Sequence, residues 1–129
     1  METITATRTS QSAINPALLA FVKCHLTSFA RWDVLRLLAS QEGRWLNRAS
    51  LQRQLSQQPP SAINQALREL SDEGLVQLEP DSEGITLFRL DPSEPTSRVV
   101  ERLIGAAAQD HQIRQLIVAR ILHGDQTAA

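Results

Sequence analysis

Ser61-Ala62-Ile63-Asn64-Gln65-Ala66-Leu67-Arg68-Glu69-Leu70-Ser71-Asp72-Glu73-Gly74 is the segment whose reading decides the fold. Ile63, Ala66, Leu67 and Leu70 recur at the spacing that gathers side chains on one side of an α-helix, and Gly74 supplies a left-handed residue to end it. Upstream, Asn47-Arg48-Ala49-Ser50-Leu51-Gln52-Arg53-Gln54-Leu55 offers a helix-capping residue and two inward leucines. Ser56-Gln57-Gln58-Pro59-Pro60 separates the two segments as a turn. Downstream the pattern changes to a strand-like Leu75–Leu78, a polar loop from Glu79 to Gly84, and a second strand over Ile85–Leu90. In that second strand Ile85, Leu87 and Arg89 fall on one side and Thr86, Phe88 and Leu90 on the other, which suits partial burial. Two short helices joined by a tight turn and followed by a β-hairpin make a winged helix-turn-helix. The second helix of that motif is built to enter the DNA major groove.

The flanks read as helices. Pro16 fits the first turn of a helix capped by Asn15, apolar through Leu18, Leu19, Phe21, Val22 and Leu26 and running to about Ser28. A second helix spans about Ala30 to Gln41, with Leu35, Leu38 and Ala39 facing the core and Gly43 ending it. Trp45-Leu46 reads as a short edge strand. After the proline-punctuated Asp91-Pro92-Ser93-Glu94-Pro95, Thr96 or Ser97 can cap one helix running to about His123, with Gly124 as its terminator. Such a helix is roughly 40 Å long at 1.5 Å per residue. Val99, Val100, Leu103, Ile104, Ala107, Ile113, Leu116, Ile117, Val118, Ile121 and Leu122 make it apolar on more than one face. Burial against the N-terminal helix and a symmetry mate accounts for that excess; the alternative is that it folds back to complete a monomeric core. The expected fold is therefore mainly α with a small β-hairpin, a winged helix-turn-helix with N- and C-terminal flanking helices. The expected divisions are a flexible tail over 1–14, a winged-helix domain with its leading helix over 15–91, a linker over 92–95 and a dimerisation helix over 96–124.

Composition narrows the function classes. An apolar content of 42% in 129 residues suits one folded domain with a helical extension. No apolar run approaches the roughly 20 residues that span a bilayer, so no membrane partner is expected. Residues 1–12 lack the apolar centre of a secretion signal, and the single cysteine, Cys24, cannot form an intramolecular disulfide. Both features point to the cytoplasm.

The candidate site follows from what the buried stripe leaves outside. Ser61, Asn64, Gln65 and Arg68 lie near the N-terminus of the second helix, the end that approaches base edges in this motif. Carboxamides such as Asn64 and Gln65 pair bidentately with adenine, and Arg68 pairs with guanine or holds a phosphate. Arg48 and Arg53 on the first helix are placed to hold the backbone, and Arg89 at the base of the wing is the cation placed to help there. The partner these residues imply is double-stranded DNA.

The run Leu51…Leu55…Ser61-Ala62-Ile63-Asn64-Gln65-Ala66-Leu67-Arg68-Glu69-Leu70…Glu73-Gly74-Leu75-Val76 resembles the core of MarR-like and PadR-like bacterial transcription regulators. The resemblance covers residues Arg31 to Asp91, about half the chain. It implies dimeric operator binding, with the helix that starts near Pro60 in the major groove and the wing beside the minor groove. The wing tip departs from the pattern, carrying Glu79, Asp81 and Glu83 where a DNA-binding wing offers Lys or Arg.

Charge weighs against DNA. The whole chain nets −1, and between Phe29 and Asp91 seven arginines face nine carboxylates, a net of −2. Phosphate neutralisation dominates nucleic-acid affinity, so these charges must be segregated if duplex binds. Arg48, Arg53 and Arg68 cluster on the helix pair, which favours duplex; the alternative is that they form ordinary surface ion pairs with Glu69, Asp72 and Glu73. The rival function is a winged-helix module that grips another protein within a larger assembly.

Other chemistry finds little footing. Cys24, His25, His111 and His123 hold metal-binding atoms, yet Cys24 and His25 point apart on a helix and the other two histidines lie about 120° apart around an axis. A buried thiol and surface histidines are expected, with no metal and no cofactor. Trp32 and Trp45 are expected in the core. No glycine-rich phosphate loop, nucleophile–base pattern or paired metal-spaced carboxylates is present, so no enzyme is expected.

Overall fold

The computed structural model describes residues 16–128, with side chains described as far as His123. The expected tail over 1–14 and the Asn15 cap lie outside the described residues. Among those described, six helices and three short strands run in the order α1 (Pro16–His25), α2 (Phe29–Ser40), β1 (Leu46–Asn47), α3 (Arg48–Gln54), α4 (Pro60–Asp72), β2 (Gln77–Pro80), β3 (Thr86–Arg89), α5 (Pro95–Gln109) and α6 (His111–Ala128). The strands form an antiparallel sheet in the order β1-β3-β2, with Leu46 opposite Phe88 and Leu78 opposite Phe88 on its other side. This is a winged helix-turn-helix, mostly helical, with the small sheet as its wing.

The amphipathic stripe of α4 does what its spacing dictates. Ile63, Leu67 and Leu70 are fully buried and Ala66 nearly so, against Val34, Leu35 and Leu38 of α2. Asn47 caps α3 as expected, its Oδ1 accepting the Ser50 N–H at 2.8 Å. After α4 the chain passes Gly74 in the left-handed region at φ 81°, while the amides of Leu75 and Val76 both reach back to the Leu70 carbonyl. Leu75 and Val76 are therefore a buried junction, and the first wing strand starts two residues later than the apolar run suggested.

Helix boundaries differ where side chains compete with the backbone. α1 ends at His25, three residues before the expected end, because Ser28 caps α2 through a bond from the Arg31 N–H. After α2 the first left-handed residue is Glu42 at φ 56°, with Gly43 next at φ 87°. Gly43 has a second constraint, since a Cβ there would stand 2.8 Å from Pro92 Cγ. Gly43→Ala is expected to cost about 1–2 kcal/mol through backbone strain and this clash, read as a lower denaturant midpoint. An unchanged midpoint would mean that the loop absorbs the methyl group.

The single long C-terminal helix expected over 96–124 is two helices. Asp110 adopts an extended conformation (φ −124°, ψ 112°) and its Oδ1 accepts the Gln112 N–H, which starts α6 afresh. Arg114 then reaches back to the Ala107 and Ala108 carbonyls at the end of α5. The apolar pattern runs straight through this break, which is why periodicity alone missed it. α5 starts at Pro95 with Glu94 before it, so neither Thr96 nor Ser97 caps it, and Ser97 is buried. Gly124 does not end α6, which runs on to Ala128.

Val100, Leu103 and Ala107 of α5, and Ile113, Ile117 and Ile121 of α6, join Leu18, Phe21 and Val22 of α1, and Leu26 just after it, in the same core cluster as α2 and α4. Arg120 adds a tie, donating to the carbonyl of Lys23 near the end of α1, where a cation opposes the helix dipole. The C-terminal helices thus complete the core of one chain. α6 nevertheless leaves Val118 41% and Leu122 51% exposed. No described helix is long and apolar enough to cross a membrane.

Candidate nucleic-acid interface

The decisive feature of the site lies one layer beneath it. Arg31 is 6% exposed and forms a guanidinium fork between α2 and α4. Its Nε and Nη2 donate to Glu69 Oε1 at 3.1 and 2.9 Å, and its Nη1 and Nη2 donate to the two oxygens of Glu73 at 3.0 and 2.9 Å. Nη1 also donates to the His25 carbonyl, and the His25 ring contacts Glu73 Oε1 at 2.7 Å. A planar fork suits this double carboxylate better than a point charge would. The surface pairing anticipated between Glu69, Glu73 and the arginines of the helix pair therefore does not occur. Among the described residues, Arg48, Arg53 and Arg68 make no ion pair.

Two of those freed arginines share a groove. Arg48 from the start of α3, Asn64, Leu67, Arg68 and Ser71 from α4, and Leu78, Thr86 and Phe88 from the wing line an open cleft of about 450 Å³. Among the described residues no carboxylate lines it. The Arg48 guanidinium lies 5.4 Å from the Phe88 ring centroid, so the buried ring holds it at the cleft wall. Asn64 is half-buried, and its Oδ1 accepts from Gln52 Nε2 at 3.0 Å. The arrangement offers two cations and a carboxamide on a concave, partly apolar surface.

The other candidates lie around it. Ser61 and Gln65 are exposed on α4, and Gln65 donates to Glu69 Oε2 at 2.9 Å. Arg53 is exposed toward the end of α3, outside the residues that line the cleft. Arg89 is not brought to the cleft. It stands on the opposite face of the wing from Phe88, stacked 4.6 Å from the Trp45 ring and bonded to Gln77 Oε1 at 2.7 Å. Trp45 is thus a plate for Arg89 rather than a core residue, and Trp32 is half-buried with Arg36 at 5.9 Å. Sequence reasoning missed Gln52, Leu78 and Thr86, whose roles depend on how α3 and the wing fold over α4. The acidic tip is partly structural, since Asp81 Oδ1 accepts the Glu83 and Ile85 N–H groups that close the turn.

The Gln65 amide, reinforced by Arg31 and Arg68 and opposed by partial burial, holds the Glu69 carboxyl below its ordinary value of 4.5. A lowered folded-state value means stabilisation that is present at neutral pH and lost as pH falls below the ordinary glutamate range. Glu69→Gln is accordingly expected to lower the thermal midpoint at neutral pH, with the gap to the original protein closing as acid is added. A gap that stays constant into acid would show that the charge on Glu69 contributes nothing.

Cys24 is exposed on α1, which corrects the expectation of a buried thiol. His25 is half-buried and engaged with Glu73 and the Phe21 ring, rather than a surface histidine. Among the described residues no three His, Cys, Asp or Glu side chains gather as metal ligands do.

No family model matches the chain, and no curated protein matches it. A solved structure with a similar fold is a MarR-family transcriptional regulator from Silicibacter pomeroyi, 21% identical, with a TM-score of 0.50 over 83% of this chain and 82% of that one. The likeness shows a shared fold, a winged helix with flanking helices, and nothing in it singles out the PadR-like pattern.

Proposed function

We propose that this protein is a DNA-binding transcriptional regulator that acts as a dimer through its winged helix-turn-helix. The observation that carries the reading is the capture of Glu69 and Glu73 by Arg31. It engages the two carboxylates of this part of α4 and leaves Arg48 and Arg68 without an ion pair beside Asn64. A chain with a net charge of −1 can bind duplex if its cations are segregated in this way. In this reading α4 enters the major groove with Ser61, Asn64, Gln65 and Arg68 toward the bases, while Arg48 and Arg53 hold phosphates. Arg89 stiffens the wing through Trp45 and Gln77. Residues 15–91 form the DNA-binding unit. The segment over 96–124, with α1, carries the dimer contact through the strip exposed at Val118 and Leu122. A two-fold pair presents its recognition helices about 34 Å apart, one turn of duplex. The fold class of the Silicibacter pomeroyi protein, named as a transcriptional regulator, agrees with this reading, and such a role belongs in the cytoplasm.

The test is duplex binding by fluorescence anisotropy over a range of salt. The two phosphate-holding arginines of each subunit, Arg48 and Arg53, imply about four phosphates neutralised by a dimer, hence a slope of log affinity on log salt near −4. The second reading, a protein-binding module, is favoured by Leu78 and Ile85, which are 49% and 48% exposed on an acidic wing. It predicts no measurable duplex binding at low salt.

A further inference from the structure

Gln52 stands on α3, yet its side chain reaches across to α4 and donates to Asn64 Oδ1 at 3.0 Å. Both side chains are half-buried, so the bond bridges two helices at the edge of the cleft rather than lying in free solvent. Asn64 has one carbonyl oxygen with two lone pairs and one NH₂ group with two donors. Gln52 engages the carbonyl. Among the described residues the Asn64 Nδ2 group makes no hydrogen bond, and it is the group left for a ligand in the cleft beside Arg48 and Arg68. The neighbouring amide is committed the other way. Gln65 spends an N–H on Glu69, which leaves its carbonyl available.

We propose that Gln52 is a positioning residue that sets the base preference of Asn64, turning it toward guanine and away from adenine. The assignment rests on the DNA-binding reading above. An asparagine free to turn pairs bidentately with adenine, accepting from N6 and donating to N7. With its Oδ1 tied to Gln52 on α3, Asn64 keeps its NH₂ donors wholly unengaged, and they lead its contact with a base. Guanine presents two acceptors, O6 and N7, on its major-groove edge, whereas the N6 amino group of adenine and the N4 amino group of cytosine oppose a donor. Gln65, with its carbonyl free, suits a base edge that carries an amino group.

Gln52→Glu reverses the polarity of the bridge with nearly the same shape. A carboxylate can only accept, so Asn64 must turn its NH₂ toward α3 and present its carbonyl to the cleft. The experiment is selection from a pool of randomised duplexes by the full-length protein, followed by anisotropy on paired duplexes that differ at the selected base. Asn64→Ala identifies which base pair of the half-site Asn64 reads. The original protein is expected to prefer guanine there by roughly tenfold, the size of one bidentate contact. Gln52→Glu should prefer adenine at the same base pair and leave the base selected by Gln65 unchanged. Gln52→Ala, which adds no charge, should lose the discrimination between guanine and adenine while keeping helix content. A Gln52→Glu or Gln52→Ala protein that selects the same base as the original overturns the role of Gln52. An original protein that enriches no duplex overturns the DNA reading itself, and this assignment with it.

Discussion

Replacing Arg48 and Arg68 together by alanine is expected to weaken duplex binding by roughly a hundredfold or more, with little change in folding stability. Each guanidinium that contacts a base or phosphate contributes about 1–3 kcal/mol, and a dimer presents two copies of each. The structural cost is small because neither arginine makes an ion pair among the described residues. Arg68 is exposed, and Arg48 loses only its stacking on Phe88, worth about 0.5–1 kcal/mol. Anisotropy titration alongside denaturant unfolding separates the two effects. The salt slope should also become shallower, by about one for each phosphate no longer neutralised. A doubly substituted protein that binds duplex as well as the original would remove the cleft from the recognition surface.

Arg31→Met is expected to act on stability first. Removing one partner of a buried ion pair costs about 3–5 kcal/mol when the remaining charge stays buried. Here the carboxylates left behind are partly solvated, with Glu69 37% and Glu73 32% exposed at their side chains. The expected loss is therefore smaller, about 2–3 kcal/mol, read from urea unfolding. Arg31→Lys should recover only part of it, since one ammonium cannot fork across two carboxylates and a backbone carbonyl. Adding Glu69→Gln and Glu73→Gln to Arg31→Met should restore most of the loss, because no unpaired charge then remains. If Arg31→Met alone unfolds like the original, the fork is a surface ornament and the α2–α4 contact is held by apolar packing.

Local signals that need only one helix at a time were legible in the sequence. The stripe of Ile63, Ala66, Leu67 and Leu70, the Asn47 cap and the Gly74 terminator all depend on spacing within a few residues, and all three form. The two-helix reading of the C-terminus needed the competing chemistry of Asp110 to outweigh an unbroken apolar pattern. That competition is decided by a side-chain bond to Gln112, which periodicity does not register. Net charge hid the segregation of the cations for a related reason. Counting seven arginines against nine carboxylates treats Arg31 as one cation among several, whereas its burial between Glu69 and Glu73 decides which of the others stay uncommitted. Arg89 shows the same limit in reverse. Alternation put it on the face opposite Phe88, but only the fold brings Trp45 beneath it. Gln52 carried no sequence signal, because its partner lies twelve residues away across a turn.

The cleft between α4 and the wing is best tested by following the side chains themselves. In ¹⁵N-labelled protein, the carboxamide resonances of Asn64 and Gln65 and the Nε–H resonances of Arg48 and Arg68 can be tracked as a selected duplex is added. The expected result is that these signals shift together and saturate with the duplex, while the Arg89 Nε–H moves little. Shifts confined to the outer face of α6 or to the wing tip, with the Asn64 and Arg68 signals unmoved, would contradict a duplex seated in this cleft.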